Sequence, residues 1–141
     1  MPNASNEAMD QANLEAALHA HWAADAQLAA HLPPERVRTG RGHGRALPHA
    51  AVYRERTRPR LRASGETRID ETQLRIDLYF AEHDAGRAAA DALRRAFDRA
   101  TLPHPAGTEV LLVRAGEETV DQDAEGIWRF ALRLQVWVER V

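Results

Sequence analysis

The chain has 141 residues, 44% hydrophobic and 28% charged, with a formal net charge of −2 and no cysteine. That length suits one domain with a real core, 1–141, and the lack of cysteine excludes disulfides, thiolate nucleophiles and cysteine-ligated metal centres. No apolar run reaches the ~20 residues needed to span a bilayer, and the first residues carry neither the basic nor the apolar region of a secretory signal.

Residues 1–6 are expected to be disordered. A helix follows over 7–31, because Leu14, Ala17, Leu18, Trp22, Leu28 and Leu32 fall on one stripe at 100° per residue. Pro33 and Pro34 end it. The next stretch, 36–47, alternates Gly40, Gly42 and Gly44 with Arg41, His43 and Arg45 and reads as a flexible basic loop. It lacks the strand and helix context of a phosphate-binding loop.

Pro48 introduces a strand over 49–58, and Arg54, Arg56, Arg58, Arg60 and Arg62 recur at period 2. A straight strand would set all five on one face, although Pro59 argues for an edge position or a break. A second strand is predicted over 71–81, where Leu74, Ile76, Leu78 and Phe80 alternate with polar residues. Asp84 is the predicted N-cap of a helix over 85–100. A third strand is expected over 109–114 and a polar turn over 121–126. The last strand, 127–138, alternates Trp128, Phe130, Leu132, Leu134, Val136 and Val138 with Arg129, Ala131, Arg133, Gln135 and Trp137. Its length predicts a strand that overhangs its own domain. The fold class is therefore α+β: a two-layer sandwich of about four antiparallel strands with two helices on one face, order α-β-β-α-β-β.

The search for chemistry returns little. The seven histidines show no metal-ligand spacing and read as solvated or capping groups. Ser5 and Ser64 are the only serines and neither sits in a nucleophile elbow. No catalytic residue, metal site or cofactor is expected, and the chain reads as a non-enzyme.

One feature points to a partner. Arg36, Arg38, Arg41, Arg45, Arg54, Arg56, Arg58, Arg60 and Arg62 face only Glu35 and Glu55 in the same stretch, a formal excess of about seven positive charges. Three readings stay open: a strand face paired with acids of its own chain, docking onto an acidic protein surface, or a nucleic-acid-binding module. Tyr53 is the one aromatic in the segment, which is poor for single-strand stacking. Trp137, with Arg133 and Gln135 beside it, is a candidate subunit contact; packing on the sheet's own periphery is the alternative.

The order of motifs resembles a known family. Leu47-Pro48-His49-Ala50-Ala51-Val52 opens a strand after a leading helix. Leu74-Arg75-Ile76-Asp77-Leu78-Tyr79-Phe80 forms the alternating strand. Gly86-Arg87-Ala88-Ala89-Ala90-Asp91-Ala92-Leu93 follows as a helix, and Leu102-Pro103 links it to the acidic turn and the strand through Trp128-Arg129-Phe130. Together these are similar to the tail-completion or tail-terminator proteins of long-tailed phages, prophages and gene transfer agents. The resemblance implies a structural subunit of a ring, usually a hexamer. Such a ring caps the tail tube at the head-proximal end of the virion tail and joins it to the head connector. It would assemble in the host cytoplasm with no membrane and no direct nucleic-acid contact. The dense arginine ladder departs from the family pattern, so the partner surface does not carry over.

Overall fold

The computed structural model describes residues 4–40, 46–62, 68–102 and 109–140. Its elements are α1 (Ala4–Ala24), α2 (Ala26–His31), a 3-10 turn (Pro34–Arg36), β1 (Val37–Thr39), β2 (His49–Arg62), β3 (Arg68–Phe80), α3 (His83–Phe97), β4 (Glu109–Gln122) and β5 (Trp128–Arg140).

The fold is α+β, but the sheet has five strands in the order β1-β2-β3-β5-β4 and is mixed. The expected antiparallel four form its bulk, through the β2–β3 and β4–β5 hairpins and an antiparallel β3–β5 pair. The fifth strand corrects the sequence reading. Val37, Arg38 and Thr39 lie parallel to Ala50, Ala51 and Val52, inside the stretch expected to be a loop. The amide of Gly40 extends this pairing with a 2.7 Å bond to Val52 O. Residues 41–45 of that stretch, like 1–3 at the start of the chain, lie outside the described residues.

The leading helix is two helices. Asp25 adopts an extended backbone, and its carboxylate accepts the amide of Leu28 at 2.9 Å, capping α2. α1 begins at Ala4, within the stretch expected to be disordered. The N-cap of α3 is Glu82, with no side-chain cap bond, so Asp84 sits two residues further in than expected, within the first turn, where the helix dipole favours its charge.

β5 is the largest correction. It overhangs nothing: Trp128 to Arg140 pair with Phe80 to Arg68 on one side, and with β4 on the other. β4 reaches Gln122, eight residues beyond the expected end. A register shift between Ala115 and Glu118 breaks the alternation that would have revealed it.

Register fixes the two faces. Leu74, Ile76 and Leu78 pair with Leu134, Leu132 and Phe130, and all six are buried. With Trp22, Leu28, Leu93 and Phe97 they form the core cluster, so the helices cover this inner face. Each such fully buried side chain contributes ~1.5–3 kcal/mol of transfer free energy. Trp22 donates its indole N–H to Leu32 O at 3.0 Å, and His21 reaches Ala96 O at 2.7 Å, tying α1 to α2 and α3. Where α3 crosses β5, Gly86 is buried against Phe130.

A Cβ on Gly86 would land on the Phe130 ring, 2.8 Å from Cδ2, and Phe130 is itself buried. Gly86→Ala should therefore destabilise the fold by about 1–3 kcal/mol, despite the ~1 kcal/mol gain in helix propensity. Urea unfolding with an unchanged slope and a lower midpoint would register this; an unchanged or higher midpoint would refute it.

Candidate functional site

Among the described residues no helix covers the outer face of the sheet. Its residues form rows across the strands: His49, Tyr79, Arg129 and Asp121; then Ala51, Asp77, Ala131 and Thr119; then Tyr53, Arg75 and Arg133; then Arg56, Gln73, Gln135 and Arg114; then Arg58, Glu71, Trp137 and Leu112. Polar side chains on this face bond to one another. Arg75 donates to Asp77 at 2.8 Å and lies over the Tyr53 ring, and the Tyr53 hydroxyl donates to Asp77 at 3.4 Å. Arg129 donates to Asp121 at 3.1 Å. His49 stacks on Tyr79 with centroids 4.7 Å apart.

Arg75 and Arg133 stand directly opposite each other, an unfavourable like-charge pair in isolation. Two bulges resolve it. The shift between Arg54 and Arg56 turns Glu55 outward from the ladder, and the shift between Ala115 and Glu118 does the same for Glu117. Both carboxylates converge on Arg133, at 3.0 Å and 3.1 Å.

The first bulge also splits the arginine ladder. Arg54 pairs with Leu74 and so shares the inner face, where it donates to Thr57 Oγ1 at 3.2 Å. Arg56 and Arg58 lie on the outer face, bonded to Gln73 at 3.0 Å and to Glu71 at 3.4 Å. A second register shift lies between Pro59 and Leu61. The five arginines thus do not form one cationic stripe. Arg36 donates to Ala46 O and Pro48 O and fastens the entry to β2, while Arg38 is exposed beside Ala51. Arg41 and Arg45 lie outside the described residues, as do the side chains of Arg60 and Arg62.

Trp137, Arg133 and Gln135 share the outer face of β5, each half-buried. A depression of about 390 Å³ at the hairpin end is lined by Tyr79, Asp121, Gln122, Asp123, Ile127 and Arg129. Asp123 organises the turn beneath it, accepting the amides of Glu125 at 2.8 Å and Ile127 at 3.0 Å. Among the described residues no group of three or more His, Asp or Glu could hold a metal ion, and no helix is long and apolar enough to cross a membrane.

The sequence does not reveal which strands form the sheet edges: β5, the expected edge, lies inside the sheet, and β1 and β4 are its borders. On β4, the segment after α3 covers residues 113–116. Arg99, with φ of 64°, donates to Val113 O at 2.7 Å, Val113 donates to Ala100 O at 3.0 Å, and the Ala115 amide reaches Asp98 Oδ1 at 3.0 Å. Arg94 closes the set on Gly116 O. Beyond it, residues 117–122 form an edge left open among the described residues, bearing Val120, their exposed large hydrophobic at 39%. On β2, β1 covers residues 50–52, and 53–62 stay open among the described residues. The available signal was Thr119-Val120, a β-branched pair just before the polar turn.

Burial raises the Tyr79 phenol above its ordinary value of 10.0, and the Asp77 carboxylate adds to the shift. A raised folded-state value means that the neutral phenol contributes stability below pH ~10, which is lost as pH rises through the raised value. Tyr79→Phe should therefore lose less stability than wild type above pH ~10. Thermal melts at paired pH values would show parallel curves if this assignment were wrong.

Among known proteins, the family model of tail completion protein gp17 matches residues 16–139. A chain in the solved virion of a native gene transfer agent particle is similar, with a TM-score of 0.72 and 20% identity over 92% of this chain and 97% of that one. A second solved chain gives a TM-score of 0.52 at 14% identity, covering 90% of this chain and 96% of its own. At these identities the likeness is one of fold. No curated protein matches in sequence.

Proposed function

The chain belongs to the tail completion protein gp17 family, a structural family of phage-type tails, and on that premise we propose that it is a ring-forming subunit that caps the tail tube and joins it to the head connector. Family membership is the observation that carries this reading. The likeness to a chain of a gene transfer agent virion supports a place in a particle of that kind.

The architecture suits the role. One face of the sheet is covered by helices, and the other is a polar grid cross-linked by ion pairs. A surface held in this way keeps its shape when it meets a partner, which limits the ordering cost of association. In this reading the subunit contacts include Trp137, Arg133 and Gln135. The arginines Arg36, Arg38, Arg41, Arg45, Arg54, Arg56, Arg58, Arg60 and Arg62 border the surface offered to an adjoining ring. Because Arg56 and Arg58 already bond to Gln73 and Glu71, an acidic partner would share these guanidinium groups and would not meet a bare cationic patch. The same pairing weakens the nucleic-acid alternative, which needs a continuous cationic track.

Deleting the gene from the producing genome should leave filled heads separate from tails, with tube lengths spread widely under the electron microscope. Normal joined particles would refute the proposal. Complementation with Trp137→Ala should reduce joined particles at least several-fold while the purified protein keeps its melting temperature within a few degrees, as an interface hot spot would. Wild-type particle yield would remove Trp137 from the contact.

A further inference from the structure

The two open edges sit at opposite corners of the sheet. β1 covers the start of β2, so its open part, 53–62, lies at the far end. The 98–100 segment covers the middle of β4, so its open part, 117–122, lies at the hairpin end. We propose that residues 117–122 of one copy pair antiparallel with residues 53–62 of the next copy, head to tail. This rests on the ring reading above and assigns the contact that builds it.

The backbone supplies the attraction. Val113 and Ala115 direct their amides away from β5. Their pairing partners continue at the same parity through Leu134, Leu132 and Phe130, so Glu118 and Val120 also point their amides outward. β2 and β4 run in opposite senses within the sheet, so a second copy added with its faces aligned meets the first in antiparallel fashion.

Charge supplies the choice of partner. The open stretch of β2 carries Arg54, Arg56, Arg58, Arg60 and Arg62 with Glu55 as its one acid. The open stretch of β4 carries Glu117, Glu118 and Asp121 and no base. These carboxylates are held by Arg133, Arg87 and Arg129 of their own chain. Each carboxylate offers about four acceptor sites, so a second guanidinium can be shared. Two-fold alternatives fare worse: β4 on β4 sets acids against acids, and β2 on β2 sets arginines against arginines.

The diagonal placement also fits closure. The centres of the two open stretches differ by about six residue levels along the sheet, roughly 20 Å at ~3.4 Å per residue, while β4 on the next β2 repeats every four strands, roughly 19 Å at ~4.8 Å per strand. A shift of that size at each step closes when the strands incline by about 45°, the upper end of the ~35–45° that closed sheets adopt.

The cysteine-free chain allows a direct test. Thr57→Cys and Val120→Cys are made as separate variants, checked for native circular dichroism, and oxidised mildly alone and mixed. A second pair, Arg58→Cys with Thr119→Cys, reports the opposite face of the same pairing. The mixture should yield a two-chain disulfide adduct at least ten-fold above either variant alone, and the double variant should yield a ladder. An adduct of Val120→Cys with itself at the mixture's level, or no adduct from either mixture, overturns the inference. Native mass spectrometry of the wild-type chain separates the two readings. Oligomers without these cross-links sink this contact alone. A monomer at every concentration, together with no cross-link, sinks the ring as well.

Discussion

The structure depends on one constraint: β5 must be paired on both sides along nearly its whole length. All thirteen of its residues pair with β3 and eleven of them also with β4, and its inner side chains, Phe130 to Val138, are all buried. A strand held in this way cannot slip its register, because a slip of one residue would turn its apolar set outward. The helix layer is positioned by it too, since α3 packs with Gly86 directly against Phe130. The outer grid inherits the same register, and Arg133 stands opposite Arg75 because the inner face demands it.

The bulges are the answer to that demand. A strict ladder would leave two guanidinium groups side by side over a sheet with no covering layer. Shifting register once in β2 and once in β4 delivers Glu55 and Glu117 to Arg133. The individual pairs are partly exposed, Arg133 at 39% for its side chain, so each contributes at most about 1 kcal/mol. Their value lies in fixing the geometry of a face that other proteins would meet.

Alternation made β3 and β5 legible, because both strands have one fully apolar face and few interruptions. Pro33 and Pro34 marked the end of the leading helical segment, and the two hairpins followed from strand order. What stayed hidden has identifiable causes. β1 is three residues long, too short for any period to show. The break at Asp25 depends on a cap that competes with helix continuation, and the alanine-rich flanks gave no hint of it. The arginine ladder looked continuous because a bulge leaves no mark on the sequence, and Gly116 with Glu117 and Glu118 masked the second half of β4. The position of β5 inside the sheet is a tertiary fact: a long alternating strand reads the same at an edge or beside one. For the site, the residue types were visible but their partners were not. Arg56 and Arg58 found Gln73 and Glu71 through pairing across a hairpin, and the open corners exist only because β1 and the 98–100 segment cover their counterparts.

That covering segment has a further consequence. Residues 98–100 hold the middle of β4 through a few hydrogen bonds centred on Arg99, a non-glycine residue in a left-handed conformation that favours release. Loosening it would lengthen the available β4 border without disturbing the core. A warmed subunit would then become stickier before it became unfolded, so thermal damage in this protein should begin as excess joining, with clumped chains whose secondary structure is still intact.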